Sequence, residues 1–182
     1  MSNYQERHDM RPLGRDEVRG SIMNLDPPTG RVRLPAWFDE IRWERIDYLG
    51  WRDTRAQQRV YLVAEVDGEA RGVVLRQNPS QPALASRAVM CDLCRFTRRF
   101  NEVALFTAPR ASADKRRRLS AVGLLLCVDL GCVRAVHRTP VTGPHDPPPE
   151  QVVASRRQGL RRRTADFLRS VPDRVGTPRR SR

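Results

Sequence analysis

Met90-Cys91-Asp92-Leu93-Cys94 and Cys127-Val128-Asp129-Leu130-Gly131-Cys132 hold all four cysteines of the 182-residue chain. The first pair has C-x2-C spacing, the second C-x4-C, and 32 residues lie between them. Two tight cysteine pairs at such a distance read as one tetrahedral zinc site with Cys91, Cys94, Cys127 and Cys132 as thiolate ligands. Two disulfides, or four small core residues, are the competing readings. Core cysteines scatter along a chain, which leaves the pairing unexplained.

Outward from the first pair, Glu102 to Ala108 reads as a strand and Ser120 to Leu126 as its return, a hairpin joined by the basic stretch Pro109 to Leu119. Asp129 is placed to cap a short helix that carries Cys132 in its first turn and runs to about Val136. Knuckle, hairpin and helix in that order are the layout of a treble-clef zinc finger. The helix N-terminus sets a partial positive charge near the thiolates.

Upstream, Val60 to Val66, the turn Asp67-Gly68 and Ala70 to Leu75 form a β-hairpin. Before it, Ile46 to Asp53 is aromatic-rich, with Tyr48 and Trp51 expected in the core. An amphipathic helix is expected over Asp16 to Asn24, stopped by Asp26-Pro27-Pro28-Thr29-Gly30. A turn over Leu34 to Asp39 brings Trp37 and Phe38 to the core, and Gln77 to Ser86 is a loop. The fold class is therefore α+β: a treble clef extended by an N-terminal β-hairpin and flanking helices. The expected division is a disordered lead at 1–13, a zinc-binding domain at 14–138 and a Pro-rich linker at 139–150. A basic helix at 151–171, with Val152, Leu160, Phe167 and Leu168 as apolar positions, and a disordered tail at 172–182 complete it.

The net charge is +13, mostly from arginine, and it is concentrated. Arg95 to Arg118 holds eight cations against Glu102 and Asp114, a net of +6; from Gln151 onward ten arginines oppose Asp166 and Asp173, a net of +8. The rest is close to neutral. Phosphates of RNA, or an acidic protein face, are the partners such patches suit, and a solvated loop without partner is the plainer reading. Arg95, Phe96, Arg98, Arg99, Lys115, Arg116, Arg117 and Arg118 are the candidate contact residues.

Several classes are disfavoured. Met1 to Arg11 has no apolar stretch, and the longest run of apolar residues and glycine, Ala121 to Val128, has eight residues, far short of a membrane span. A soluble cytoplasmic protein is expected, and a reducing compartment favours zinc over disulfides. A four-thiolate site leaves no open coordination position, and no P-loop, dinucleotide-binding glycine pattern or nucleophile elbow is present, so a non-enzyme is expected. His137, five residues after Cys132, reads as a surface or supporting residue rather than a ligand.

Five segments resemble one known family. They are Tyr48-Leu49-Gly50-Trp51-Arg52-Asp53, Tyr61-Leu62-Val63, Gly72-Val73-Val74-Leu75-Arg76, Ala88-Val89-Met90-Cys91-Asp92-Leu93-Cys94, and Val122-Gly123 through Cys127-Val128-Asp129-Leu130-Gly131-Cys132. In this order they resemble the C-terminal treble-clef domain of elongation factor G-binding proteins, the FBP domain, over roughly residues 11–172. The resemblance implies zinc on the four cysteines and binding to elongation factor G. Family members that confer fusidic acid resistance use this domain to help the factor leave a ribosome on which the drug has trapped it. The segment after the first pair is short and Gly-rich in single-domain relatives. Here Arg95 to Phe100 is rich in arginine and phenylalanine. A zinc protein that binds RNA or DNA through the same arginines, and a structural ribosome-associated protein, are the alternative expectations.

Overall fold

Valine and leucine alternate with tyrosine and valine along residues 60–66, which gives a strand apolar on both faces. The structure, a computed structural model, describes residues 10–25, 32–78, 87–109 and 121–171. The expected lead over 1–9, the Pro-Pro-Thr-Gly stop, most of the loop before the first cysteines, the basic stretch with Lys115, Arg116, Arg117 and Arg118, and the 172–182 tail lie outside the described residues.

The strands are β1 (Leu49–Arg52), β2 (Arg59–Val66), β3 (Glu69–Gln77), β4 (Val89–Met90), β5 (Thr97–Arg98), β6 (Val103–Pro109) and β7 (Ala121–Cys127). Five of them form one antiparallel sheet in the order β1-β2-β3-β6-β7, while β4 and β5 pair separately. The β2–β3 turn is as expected: Asp67 and Gly68 both have positive φ, 54° and 81°, which matches the right-handed twist of the paired strands.

The sheet separates two apolar layers. On one face Val60, Leu62, Val73, Leu75, Phe106 and Leu126 pack with the cysteines. On the other, Tyr61, Val63 and Val74 pack with Trp51, Val18, Ile22 and Phe38. Each fully buried Val or Leu side chain contributes roughly 1.5–3 kcal/mol. Tyr48 and Trp51 are core residues, and the Trp51 ring stacks on Tyr61 at 4.8 Å. Met10 and Leu13, from the expected lead, are also buried in the second layer.

Among the described residues three helices flank the sheet: α1 (Arg15–Gly20), α2 (Cys132–Val136) and α3 (Pro149–Ser170). α1 ends four residues earlier than the helix expected to Asn24, because the backbone beyond it is captured by β3. Ile22 bridges Gly72, Met23 N donates to Gly72 O at 2.8 Å, and Gly72 N donates to Ser21 O at 2.9 Å. A Cβ on Gly72 would lie 2.7 Å from Ile22 Cδ1 and 2.8 Å from Ser21 Oγ and Val63 Cγ2, so a larger residue there would have to push these side chains aside. Trp37 departs from expectation. The 3₁₀ turn Ala36–Glu40 buries Phe38 and leaves Trp37 45% exposed. Asp129 is not the cap of α2; Gly131 occupies that position, and Asp129 instead accepts from Gly131 N at 2.9 Å within the preceding turn.

α3 lies on the cysteine side of the sheet. Leu160, Thr164 and Leu168, each four residues apart, are buried there, and Val152 and Phe167 are half-buried. Buried Asp47 ties the helix down: Arg157 Nε and Arg161 donate to its Oδ1 at 3.1 and 2.8 Å, and His137 Nε2 lies 3.1 Å from its Oδ2.

Candidate metal centre

The first knuckle is the turn between β4 and β5. Cys91 N donates to Phe96 O at 3.1 Å, and Arg95 N donates back to Cys91 O at 2.9 Å. The return requires a left-handed residue, and Arg95 takes it with φ 62°. The second knuckle leaves β7 at Cys127, turns through Leu130 at φ 54° with Leu130 N donating to Cys127 O at 3.0 Å, and enters α2 at Cys132. Two turns from distant parts of the chain therefore aim four sulfurs at one point.

The four Sγ atoms all lie within 4.8 Å of one another, and every cysteine is buried. Cys91 and Cys132 are 3.5 Å apart at sulfur, Cys94 and Cys127 3.7 Å. A disulfide needs about 2.05 Å. Sulfurs about 2.3 Å from a tetrahedral zinc are separated by about 3.8 Å. The observed spacing fits the second arrangement, and the donor set suits a soft divalent ion.

Electrostatics reinforce the fit. The neighbouring thiols of Cys127, Cys132 and Cys94 hold Cys91 well below the usual thiol range. Cys94 is lowered by Cys127 and Cys132. Cys132 is driven upward by Cys127, Cys91, Cys94 and burial. Four buried thiols cannot all release protons without a cation among them, and a divalent metal removes that conflict. Four thiolates around a dication leave a doubly negative centre. Arg98 and Arg163 face this charge differently: in Arg98 burial opposes the guanidinium but Cys127, Asp129 and Cys94 raise it overall, whereas burial and the neighbouring Arg95 and Arg162 lower Arg163 against the pull of Cys94 and Cys91.

Side chains from other elements fix both knuckles. Arg163 Nε donates to Leu93 O at 2.6 Å, and Leu125 N donates to Asp92 Oδ2 at 2.6 Å. The Tyr48 hydroxyl donates to Leu130 O at 3.1 Å, and Arg52 donates to Val128 O at 2.7 Å. Burial, with the nearby cysteine charges, raises the Tyr48 phenol well above its ordinary value, so it remains a donor. The sequence placed Tyr48 in the core without showing this hydroxyl's task. Arg52 and Arg163 were missed because nothing in their local pattern marks a carbonyl some 70 residues away in sequence. His137 bonds Asp47 and no cysteine.

The other candidate contact residues divide. Arg95 and Arg99 are exposed. Phe96 is half-buried against the core, with the Arg156 guanidinium 5.2 Å from its ring centre. Arg98 is half-buried, and its Nε is shielded without a hydrogen-bond partner among the described residues. A separate cleft of about 580 Å³, which sequence reading did not locate, lies between the two 3₁₀ turns (Ala36–Glu40 and Trp43–Arg45) and the second knuckle with α2. Among the described residues no helix is long and apolar enough to cross a membrane.

A family described as FBP C-terminal treble-clef zinc-finger matches residues 17–171 of the chain. No curated protein and no solved structure matches it.

Proposed function

Because the chain belongs to the FBP C-terminal treble-clef zinc-finger family, we propose that its four thiolates hold zinc and that it is a docking module for translation elongation factor G at the ribosome. The observation that carries this reading is the convergence of Cys91, Cys94, Cys127 and Cys132 into one buried cluster within the family's own span. Zinc bound there would fix the two turns. Arg95 and Arg99 extend from the first of them into solvent, suited to an acidic protein face or to ribosomal RNA phosphates. The module acts by binding energy alone: affinity for the form of the factor that leaves the ribosome shifts the factor toward that form and shortens its stay.

The net charge of +13 supports a second reading, a zinc protein that binds RNA or DNA directly. Co-purification with purified elongation factor G, with nuclease and with chelator, separates the two. The first reading expects capture that survives nuclease and weakens on chelation. Capture abolished by nuclease would favour the second, and no capture under any condition would reject docking on the factor.

A further inference from the structure

The cleft beside the second knuckle is apart from the Arg95–Arg99 surface, and none of those residues lines it. Its floor is aliphatic: Ile41, Ile46, Leu130 and Val133 are all half-buried. Trp37 stands at its edge with 45% of its surface exposed. The rim is cationic, formed by Arg42, Arg45, Arg134 and Arg138, every one of them exposed. Asp129 is the sole carboxylate in the lining, and it is already bonded to Arg134 at 2.6 Å and to Gly131 N. Arg42, Arg45 and Arg138 form no ion pair among the described residues. An apolar trough with unneutralised positive edges is complementary to a ligand that is apolar in the middle and anionic at its flanks.

We propose that this cleft receives a protein segment in which an apolar side chain, seated on Ile46, Leu130 and Val133, is flanked by carboxylates that meet Arg42, Arg45 and Arg138. A peptide fits better than single-stranded RNA because of the floor. Bases need open aromatic faces on which to stack; of the rings in the lining Tyr48 is buried and His137 is half-buried and held by Asp47, which leaves branched aliphatic side chains and Trp37, the one exposed ring, at the edge. Exposed tryptophan and arginine around an apolar centre are also the residue types that dominate protein–protein contacts. Because Leu130 and Gly131 belong to the turn between Cys127 and Cys132, the metal centre shapes one wall of the cleft.

The inference stands on the cleft and does not require elongation factor G to be the partner. Its test titrates the full zinc-loaded chain with three fluorescent probes. They are helical peptides with a leucine anchor between glutamates, the same peptides with lysines for glutamates, and oligouridylate. The glutamate peptides should bind best. Arg42→Glu/Arg45→Glu should weaken them by about tenfold or more, Trp37→Ala should weaken them too, and Arg162→Glu, at an exposed arginine of α3 that does not line the cleft, should not. Zinc content and circular dichroism of each variant confirm that the fold is kept. No binding of the glutamate peptides, binding that survives both cleft variants, or tighter oligouridylate binding lost in those same variants would each overturn the inference. Peptide binding without factor binding keeps it and rejects the proposed function; the converse rejects only the cleft.

Discussion

Tyr48 shows how one side chain can serve both packing and the metal loop. Its ring lies under the sheet, and its hydroxyl holds the Leu130 carbonyl of the second knuckle. Tyr48→Phe keeps the ring and removes the hydrogen bond, so about 1 kcal/mol of stability should be lost in denaturant unfolding. The pH dependence has a definite sign. The folded chain holds the phenolic proton above pH 10, where the unfolded chain releases it, so the native state then binds more protons. Stability from this group is complete below pH 10 and falls as pH rises beyond it. The variant should therefore show a shallower alkaline decline, followed by tyrosinate absorbance and unfolding midpoint together. An identical alkaline limb in both proteins would contradict the burial assigned to Tyr48.

At the scale of elements, the informative contact is the outer edge of β3. β6 covers only its end, pairing at Arg76 and Gln77. The segment after α1 covers its middle: Ile22 bridges Gly72, and the Asn24 side chain both donates to Val74 O at 2.9 Å and accepts from Val74 N at 2.8 Å. An amide side chain thus replaces a missing strand residue, satisfying buried backbone groups that would otherwise be orphaned. Asn24→Ala should cost about 2 kcal/mol, read as a lower denaturant midpoint at unchanged m-value. Asn24→Asp, which accepts but does not donate, should recover only part of it. The amphipathic spacing of Val18, Ile22 and Met23 was visible in the sequence. What ended the helix was not, because Gly72 lies 50 residues downstream of Ile22.

At the scale of the molecule, the sheet's two apolar layers differ in their need for metal. The layer of Trp51, Tyr61, Val63 and Phe38 contains no cysteine, while all four cysteines belong to the other. Chelation should accordingly remove amide-exchange protection across both knuckles and α2, leaving β2 and β3 the slowest to exchange. Zinc at about a hundredfold over its Kd should add about 2.7 kcal/mol to global stability. Exchange in the knuckles that is indifferent to chelator would mean that the cysteine cluster does not depend on a metal.

Spacing along the chain determined the cysteine cluster, because ligand pairs with two and four residues between their members can be brought to one ion by local turns whatever surrounds them. Alternation and turn chemistry likewise determined the β2–β3 hairpin, since Asp67-Gly68 carries its own backbone preference. Tertiary structure alone decided that the two hairpins merge into one five-stranded sheet, joined through Arg76 and Gln77. It also decided that the arginines of α3 divide, with Arg157 and Arg161 on buried Asp47 and Arg163 on a knuckle carbonyl. Arginine at those positions reads identically whether it faces solvent or a buried carboxylate. Its partner is set by which distant backbone packs beside it, and composition and spacing carry no record of that.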